Sequence, residues 1–255
     1  MAPNPERQAD VGVIGGSGFY AFVDDVREVA LDTPYGQPSA PIAIGQVGEA
    51  RVAFLARHGK NHELPPHRVN FRANVWALKE LGVHTIVGSF ACGSLQPHIH
   101  PGEFVVIDQL IDRTWGRPDT FFDGPDVRHV TFADPYDDRL RRVVVEAGRR
   151  RGITVHDGGT VVVIQGPRFA TRAESRWYRA QGWEIISMTQ YPEAVLPKEL
   201  DIPYAAVALV TDYDTGLDLE GVEPVTMEAV LEVMRHNVDR VRELLMTAIP
   251  HLATR

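Results

Sequence analysis

Three polar residues late in the chain, Thr211, Asp212 and Asp214, follow the uncharged run Ala205-Ala-Val-Ala-Leu-Val210. Such a run reads as a strand buried on both faces, and ligands of open α/β sheets sit at the carboxyl ends of such strands. Asp212 and Asp214 are two apart, so an extended continuation turns both to one side. Two carboxylates in one mouth can bind an amine edge, hold a metal or move a proton. The same residues also suit a strand-ending Asx turn through Asp214-Thr-Gly216. Other strand ends carry comparable groups. Ser17 sits in Gly15-Gly-Ser-Gly18 behind Val11-Gly-Val-Ile14, where glycines let backbone N–H groups face an anion. Gly16-x-Gly18-x-x-Ala21 matches a loose dinucleotide fingerprint. No long amphipathic helix follows it, so a phosphate-sized anion fits better. Arg57 and His58 close another run and combine a planar fork of donors with a tunable one. Ala91-Cys-Gly-Ser94 is a third small-residue loop, and Met188-Thr189 follows a further short strand.

These groups need a scaffold. With 255 residues the chain is long enough for one large domain with a full core. A formal net charge of −8 argues against a general nucleic-acid binder and against an anionic membrane surface. The lone cysteine, Cys92, rules out an internal disulfide and fits a reducing, cytoplasmic setting; between Ala91 and Gly93 it reads as a small core residue. No apolar stretch is long enough to span a bilayer. Residues 1–10 are polar, with no signal-peptide core, and read as a flexible lead-in.

The spacing predicts a strand pair over 42–47 and 52–56 and a helix over 70–81 with Phe71, Val75, Leu78 and Leu81 on one face. Strands follow at 85–90 and 104–107. Residues 108–134 read as irregular, and loops this long are usually functional or lie at a subunit contact. A helix is expected over 137–151 and a strand over 159–164. Thr171 and Glu174 form a capping box that opens the next helix. A strand at 184–187, a helix near 193–200, the strand before Asp212 and a helix over 226–248 complete the order. The last helix carries a stripe that includes Met227, Leu231, Met234 and Val238, read as core contacts. The whole is one α/β domain, residues 11–250, around a mixed, largely parallel central sheet flanked by helices, with 251–255 as a short tail.

Taken in order, Gly15-Gly-Ser-Gly18, Arg57-His58-Gly59, Ala91-Cys-Gly-Ser-Leu95, Gln165-Gly-Pro-Arg-Phe169, Met188-Thr189 with Pro192-Glu193, and Thr211-Asp-Tyr-Asp214 resemble the 5′-methylthioadenosine phosphorylases. These belong to the trimeric purine nucleoside phosphorylase group. The likeness runs from about Val11 to Pro250 and includes Ile107-Asp-Gln-Leu-Ile-Asp-Arg-Thr114. It implies attack of inorganic phosphate on the anomeric carbon of a purine nucleoside, with no metal or organic cofactor, in a homotrimer. By the resemblance, phosphate would contact Ser17, Arg57, His58, Ala91 and Thr189. Met188 would lie against the ribose, Phe169 against the purine, Asp212 at N7 and Asp214 at the 6-amino group. His129 would be lent to a neighbour's pocket. Oxopurine relatives typically carry Asn at the position of Asp212 and Glu at that of Ala170, so adenine nucleosides are favoured. Other adenosines (5′-deoxy, 5′-halo or unmodified), 6-oxopurine nucleosides, and a nonenzymatic nucleotide-binding role are the alternatives. Ser17 keeps the hydroxyl of the usual threonine. Phe90 stands where many relatives have threonine and removes one.

Overall fold

The computed structural model describes residues 8–16, 26–215, 217 and 221–254. The strands are β1 (Val11–Gly15), β2 (Arg27–Val29), β3 (Ile42–Val47), β4 (Ala50–Ala56), β5 (Thr85–Ser94), β6 (Phe104–Val106), β7 (Gln109–Arg113), β8 (Val155–Asp157), β9 (Thr160–Ile164), β10 (Ile185–Ser187) and β11 (Tyr204–Asp212). The helices are α1 (Phe71–Glu80), α2 (Asp138–Arg150), α3 (Arg172–Ala180), α4 (Gln190–Glu193), α5 (Val195–Glu199) and α6 (Met227–Leu252). All eleven strands join one mixed sheet with the path β2-β3-β4-β1-β5-β10-β9-β7, while β11 pairs with β5 and β6, and β8 with β6. Helices cover it, and apolar residues on the two sides of the strands fill two large cores.

The helix starts follow from local chemistry. Asn70, Asp137, Thr171 and Thr226 each accept a backbone N–H of the first turn through a side-chain oxygen. At Thr171 the reciprocal bond from the N-cap N–H to Glu174 completes the expected capping box.

Four expectations change. β5 does not stop at Phe90: it runs on to Ser94, because β11 pairs with it through Gly93 and β10 pairs with Gly93 and Ser94. Ala91-Cys-Gly-Ser94 is therefore strand, not loop. Residues 109–113, read as irregular, form the edge strand β7 by parallel pairing with β9. The helix expected near 193–200 is split into α4 and α5, with non-helical backbone at Tyr191 and Pro192. Finally, the α6 stripe divides. Val241, Leu244, Leu245 and Ala248 are core, whereas Met227 and Leu231 are 37% and 41% exposed.

β5 is the axis of the site. β11 lies along one of its edges. On the other edge β1 runs parallel beside residues 85–88 and β10 runs antiparallel beside 93–94. The carboxyl ends of β1 and β10 therefore point toward each other and leave a gap opposite Ser89–Cys92.

Candidate active site

A cavity of about 770 Å³ opens at that gap. Arg57 and His58 follow directly on β4, Ser89 to Gly93 lie on β5, Ile186 and Ser187 on β10, and Met188 and Thr189 continue from it. Phe169 and Ala170 come from the segment before α3, Asp212 and Asp214 from the end of β11, and Met227, Leu231 and Met234 from α6. The structure thus brings Arg57, His58, Ala91, Phe169, Met188, Thr189, Asp212 and Asp214 into one space. Ser17 lies outside the described residues. His129 is exposed and does not line this cavity.

Arg57 is 1% exposed, and its fork is engaged. Nε and Nη2 donate to Glu193 at 2.6 and 2.7 Å, Nη1 to the Ser89 carbonyl at 2.9 Å and Nη2 to the Ile14 carbonyl at 3.3 Å. Four of its five N–H groups are used, leaving one on Nη1 rather than a bidentate fork. Burial opposes the guanidinium charge, but Glu193 reverses this and its pKa is raised. Tyr204 donates to Glu193 at 2.8 Å. Gly88 makes room for it: a Cβ there would fall 2.2 Å from the Tyr204 hydroxyl.

His58 sits beside that pair. Burial first, then the neighbouring Arg57 charge, pushes its pKa down to about 4. Its Nδ1 lies 2.8 Å from the Leu64 carbonyl, which can only accept. The ring is thus neutral at pH 7 with the proton on Nδ1, and Nε2 is an acceptor.

The other end of the cavity is acidic. Burial, aided by the Asp214 charge against an opposing hydrogen bond from Thr211, pushes Asp212 up to about 7. Thr211 Oγ1 is 2.7 Å from Asp212 Oδ2. Asp214 is 3% exposed and its pKa is raised by burial, against hydrogen bonds from Ser175 and the Thr215 N–H. Its Oδ2 is buried without a hydrogen-bond partner among the described residues. A buried carboxylate oxygen in that state calls for a donor from a ligand. Gly93 lets the acids approach β5, since a Cβ there would lie 2.9 Å from Asp212 Oδ1 and 3.1 Å from Asp214 Cα.

Some contributors were not singled out from sequence. Glu193 was noted only within a motif, and its ion pair with Arg57 has no local signal. Ser187 lines the cavity with a buried, unpartnered hydroxyl among the described residues. Met227, Leu231 and Met234 give α6 an apolar face on the cavity, and their helical spacing is indistinguishable from a core stripe.

Known proteins with this architecture are closely related. The model of the phosphorylase superfamily matches residues 10–250. An S-methyl-5′-thioadenosine phosphorylase of Mycolicibacterium smegmatis is 53% identical over 242 residues, covering 94% of this chain and 90% of the relative. A purine nucleoside phosphorylase of Streptomyces coelicolor is 51% identical over 253 residues, covering 96% and 90%. A methylthioadenosine phosphorylase of Schistosoma mansoni, solved in complex with adenine, superposes with a TM-score of 0.92 at 40% identity, over 97% of this chain and 93% of the other.

Two predictions follow from the buried charges. Glu193→Gln leaves Arg57 without its counter-ion and should cost about 3–5 kcal/mol in urea unfolding, most of it recovered when Arg57→Met is added. A single variant as stable as wild type would show that the pair does not hold this end together. Asp212 has a native pKa near 7, against about 3.9 when unfolded. Its contribution is therefore full below about pH 4 and lost as pH rises through 7, a swing on the order of 4 kcal/mol. Asp212→Asn should gain on wild type in melting temperature at pH 8 much more than at pH 4.5; equal differences at both would deny the raised pKa.

Proposed function

The chain belongs to the phosphorylase superfamily, and from that premise we propose that it cleaves 5′-methylthioadenosine with inorganic phosphate, giving adenine and 5-methylthioribose 1-phosphate. The observation that carries this is the Asp212–Asp214 pair: one carboxyl poised near pH 7, the other buried with an oxygen awaiting a donor. Asp214 Oδ2 accepts from a 6-amino group. Asp212, in its protonated form, gives its proton to purine N7 as the bond between N9 and the anomeric carbon breaks. A phosphate oxygen bonds to that carbon from the opposite face. Phosphate is the second substrate, and the reaction needs no metal or organic cofactor.

On this reading phosphate occupies the Arg57 end, beside His58, Ala91 and Thr189, with Ser17 completing the contacts. Neutral His58 accepts at Nε2 from the P–O–H group of the phosphate, which leaves the other oxygens free to face the cationic sugar. Arg57, its charge balanced by Glu193, supplies its remaining N–H. Phe169 packs on the purine and Met188 on the ribose. Phe90, 6% exposed, lines the cavity there and offers no hydroxyl, so the β5 contribution to phosphate is the backbone N–H of Ala91. The apolar side chains of α6 suit a methylthio group better than a hydroxyl. The 6-oxopurine alternative places a carbonyl against Asp214, an acceptor facing an acceptor.

The same reading makes the working unit a homotrimer with His129 reaching into a neighbouring copy's cavity. It is supported by His129 lying exposed outside its own cavity, and by Trp115 and Val127 being 68% and 71% exposed on the same segment.

Adenine release from methylthioadenosine should depend on phosphate and exceed inosine cleavage by orders of magnitude. Release without phosphate would make the protein a hydrolase, and preference for inosine would overturn the role given to Asp214. Asp214→Asn should narrow the adenine-to-inosine ratio of kcat/KM at least tenfold, and Asp212→Ala should remove most turnover while leaving the fold intact by circular dichroism.

A further inference from the structure

The ladder that fixes β11 fails where the chemistry begins. The register of β11 against β5 shifts between Val210 and Asp212, and Asp214 stands at φ +34°. Strand pairing alone therefore does not determine where the two carboxyls point. Tyr213, between them, is not part of the cavity wall. Its hydroxyl meets His100 Nδ1 at 2.5 Å, with the rings edge-on at 6.2 Å between centroids.

His100 belongs to the turn between β5 and β6, and that turn is held firmly. The His100 N–H donates to Glu103 Oε2 at 2.9 Å, the Gly102 N–H to Val210 at 2.8 Å and the Val210 N–H to Glu103 at 2.9 Å. Glu103 Oε2 is also 2.8 Å from His156 Nε2 on β8, and Arg240 of α6 donates to the Gly102 carbonyl at 2.6 Å. His98 lies edge-on to His156. Among the described residues no group of three such side chains is placed to hold a metal ion.

We propose that Tyr213 and His100 are positioning residues whose hydrogen bond holds the Asp212–Asp214 loop from outside the cavity and so sets the alignment of both carboxyls with the purine. The role rests on the phosphorylase reading. Burial, then the Glu103 charge, raises the Tyr213 pKa, so the hydroxyl stays protonated and shares one hydrogen bond with His100 Nδ1. The charged, titratable and hydrogen-bonding groups around this loop are Glu103 and His100 at Tyr213, Cys92 at Asp212, Glu174 and Ser175 at Asp214, and Arg172, which donates to the Thr215 carbonyl at 3.1 Å; His156, His98 and Arg240 stand behind Glu103 and Gly102.

Tyr213→Phe and His100→Ala should each lower kcat on methylthioadenosine about three- to tenfold, the size of one exposed hydrogen bond, with KM for phosphate unchanged. The double variant should lose no more than either single one. His100→Asn, which keeps a hydrogen-bonding group at the place of Nδ1, should keep most of the rate lost in His100→Ala. A loosened loop admits water to Asp212, so in Tyr213→Phe the alkaline limb of kcat/KM should move to lower pH. The carbon-13 titration of the Asp212 carboxyl should move the same way, whether or not the protein turns over this nucleoside. Unchanged kcat, additive losses, or a loss of stability with an unmoved Asp212 titration overturns the proposal. Absence of phosphate-dependent adenine release by wild type overturns the phosphorylase reading instead, and the titration still decides the positioning role.

Discussion

The ion pair between Arg57 and Glu193, both 1% exposed, is the interaction from which the rest of the site is hung. Arg57 follows directly on β4, Glu193 ends α4, and the other N–H groups of the guanidinium take carbonyls at the end of β1 and in the middle of β5. Four chain segments, far apart in sequence, are thus referred to one planar group. A buried pair of this kind contributes little net stability, because removing two charges from water offsets most of their attraction. Its effect is geometric: it adds a direct tie between the end of β1 and the turn beyond β10 across the gap. The site depends on that gap having a fixed width.

The same pair sets the electrostatics. At one end of the cavity the guanidinium charge is balanced by Glu193, and its one free N–H with a neutral imidazole beside it suits an anion that brings its own proton. At the far end two carboxyls share a poorly solvated corner, and one stays protonated near neutral pH. Hydrogen-bonding groups face the place where a nucleophile would lie, and a proton is held where a leaving group would need one. Neither condition arises from a single residue type. Each comes from burial acting on ordinary side chains, in opposite directions at the two ends.

Much of this was legible in the sequence. Apolar runs that stop at small, basic or acidic residues marked Ser17, Arg57, His58, Ala91, Met188, Thr189, Asp212 and Asp214 as a convergent set, of which all but Ser17, outside the described residues, line one cavity, and the capping box at Thr171 fixed where α3 begins. What was not legible depended on neighbours. The last four residues of β5 carry the composition of a loop and become strand only because β10 and β11 flank them. β7 owes its existence to β9. The first turns of α6 have the period of a core helix yet face a cavity, since period reports that a face is covered, not by what. Glu193 and His100 act through contacts 136 and 113 residues away in sequence, where no local signal reaches.

The division of labour between strand and loop has a chemical logic. A displacement at one carbon requires nucleophile and leaving group on opposite sides, a few ångströms apart, and held there. Successive residues on a strand are about 3.3 Å apart. Ala91 and Gly93, two steps along β5, therefore mark the anion end and the acid end with a separation that sheet pairing cannot let drift. The acids lie at and just beyond the end of that ladder. Asp212 is its last rung, opposite Gly93 after the register shift, and Asp214 stands past the strand at φ +34°. The spacing of the site is thus set by β5, which β1, β10 and β11 flank on both edges. The aim of its acids is left to a short irregular segment, which must be steadied by side chains such as Tyr213 rather than by the sheet.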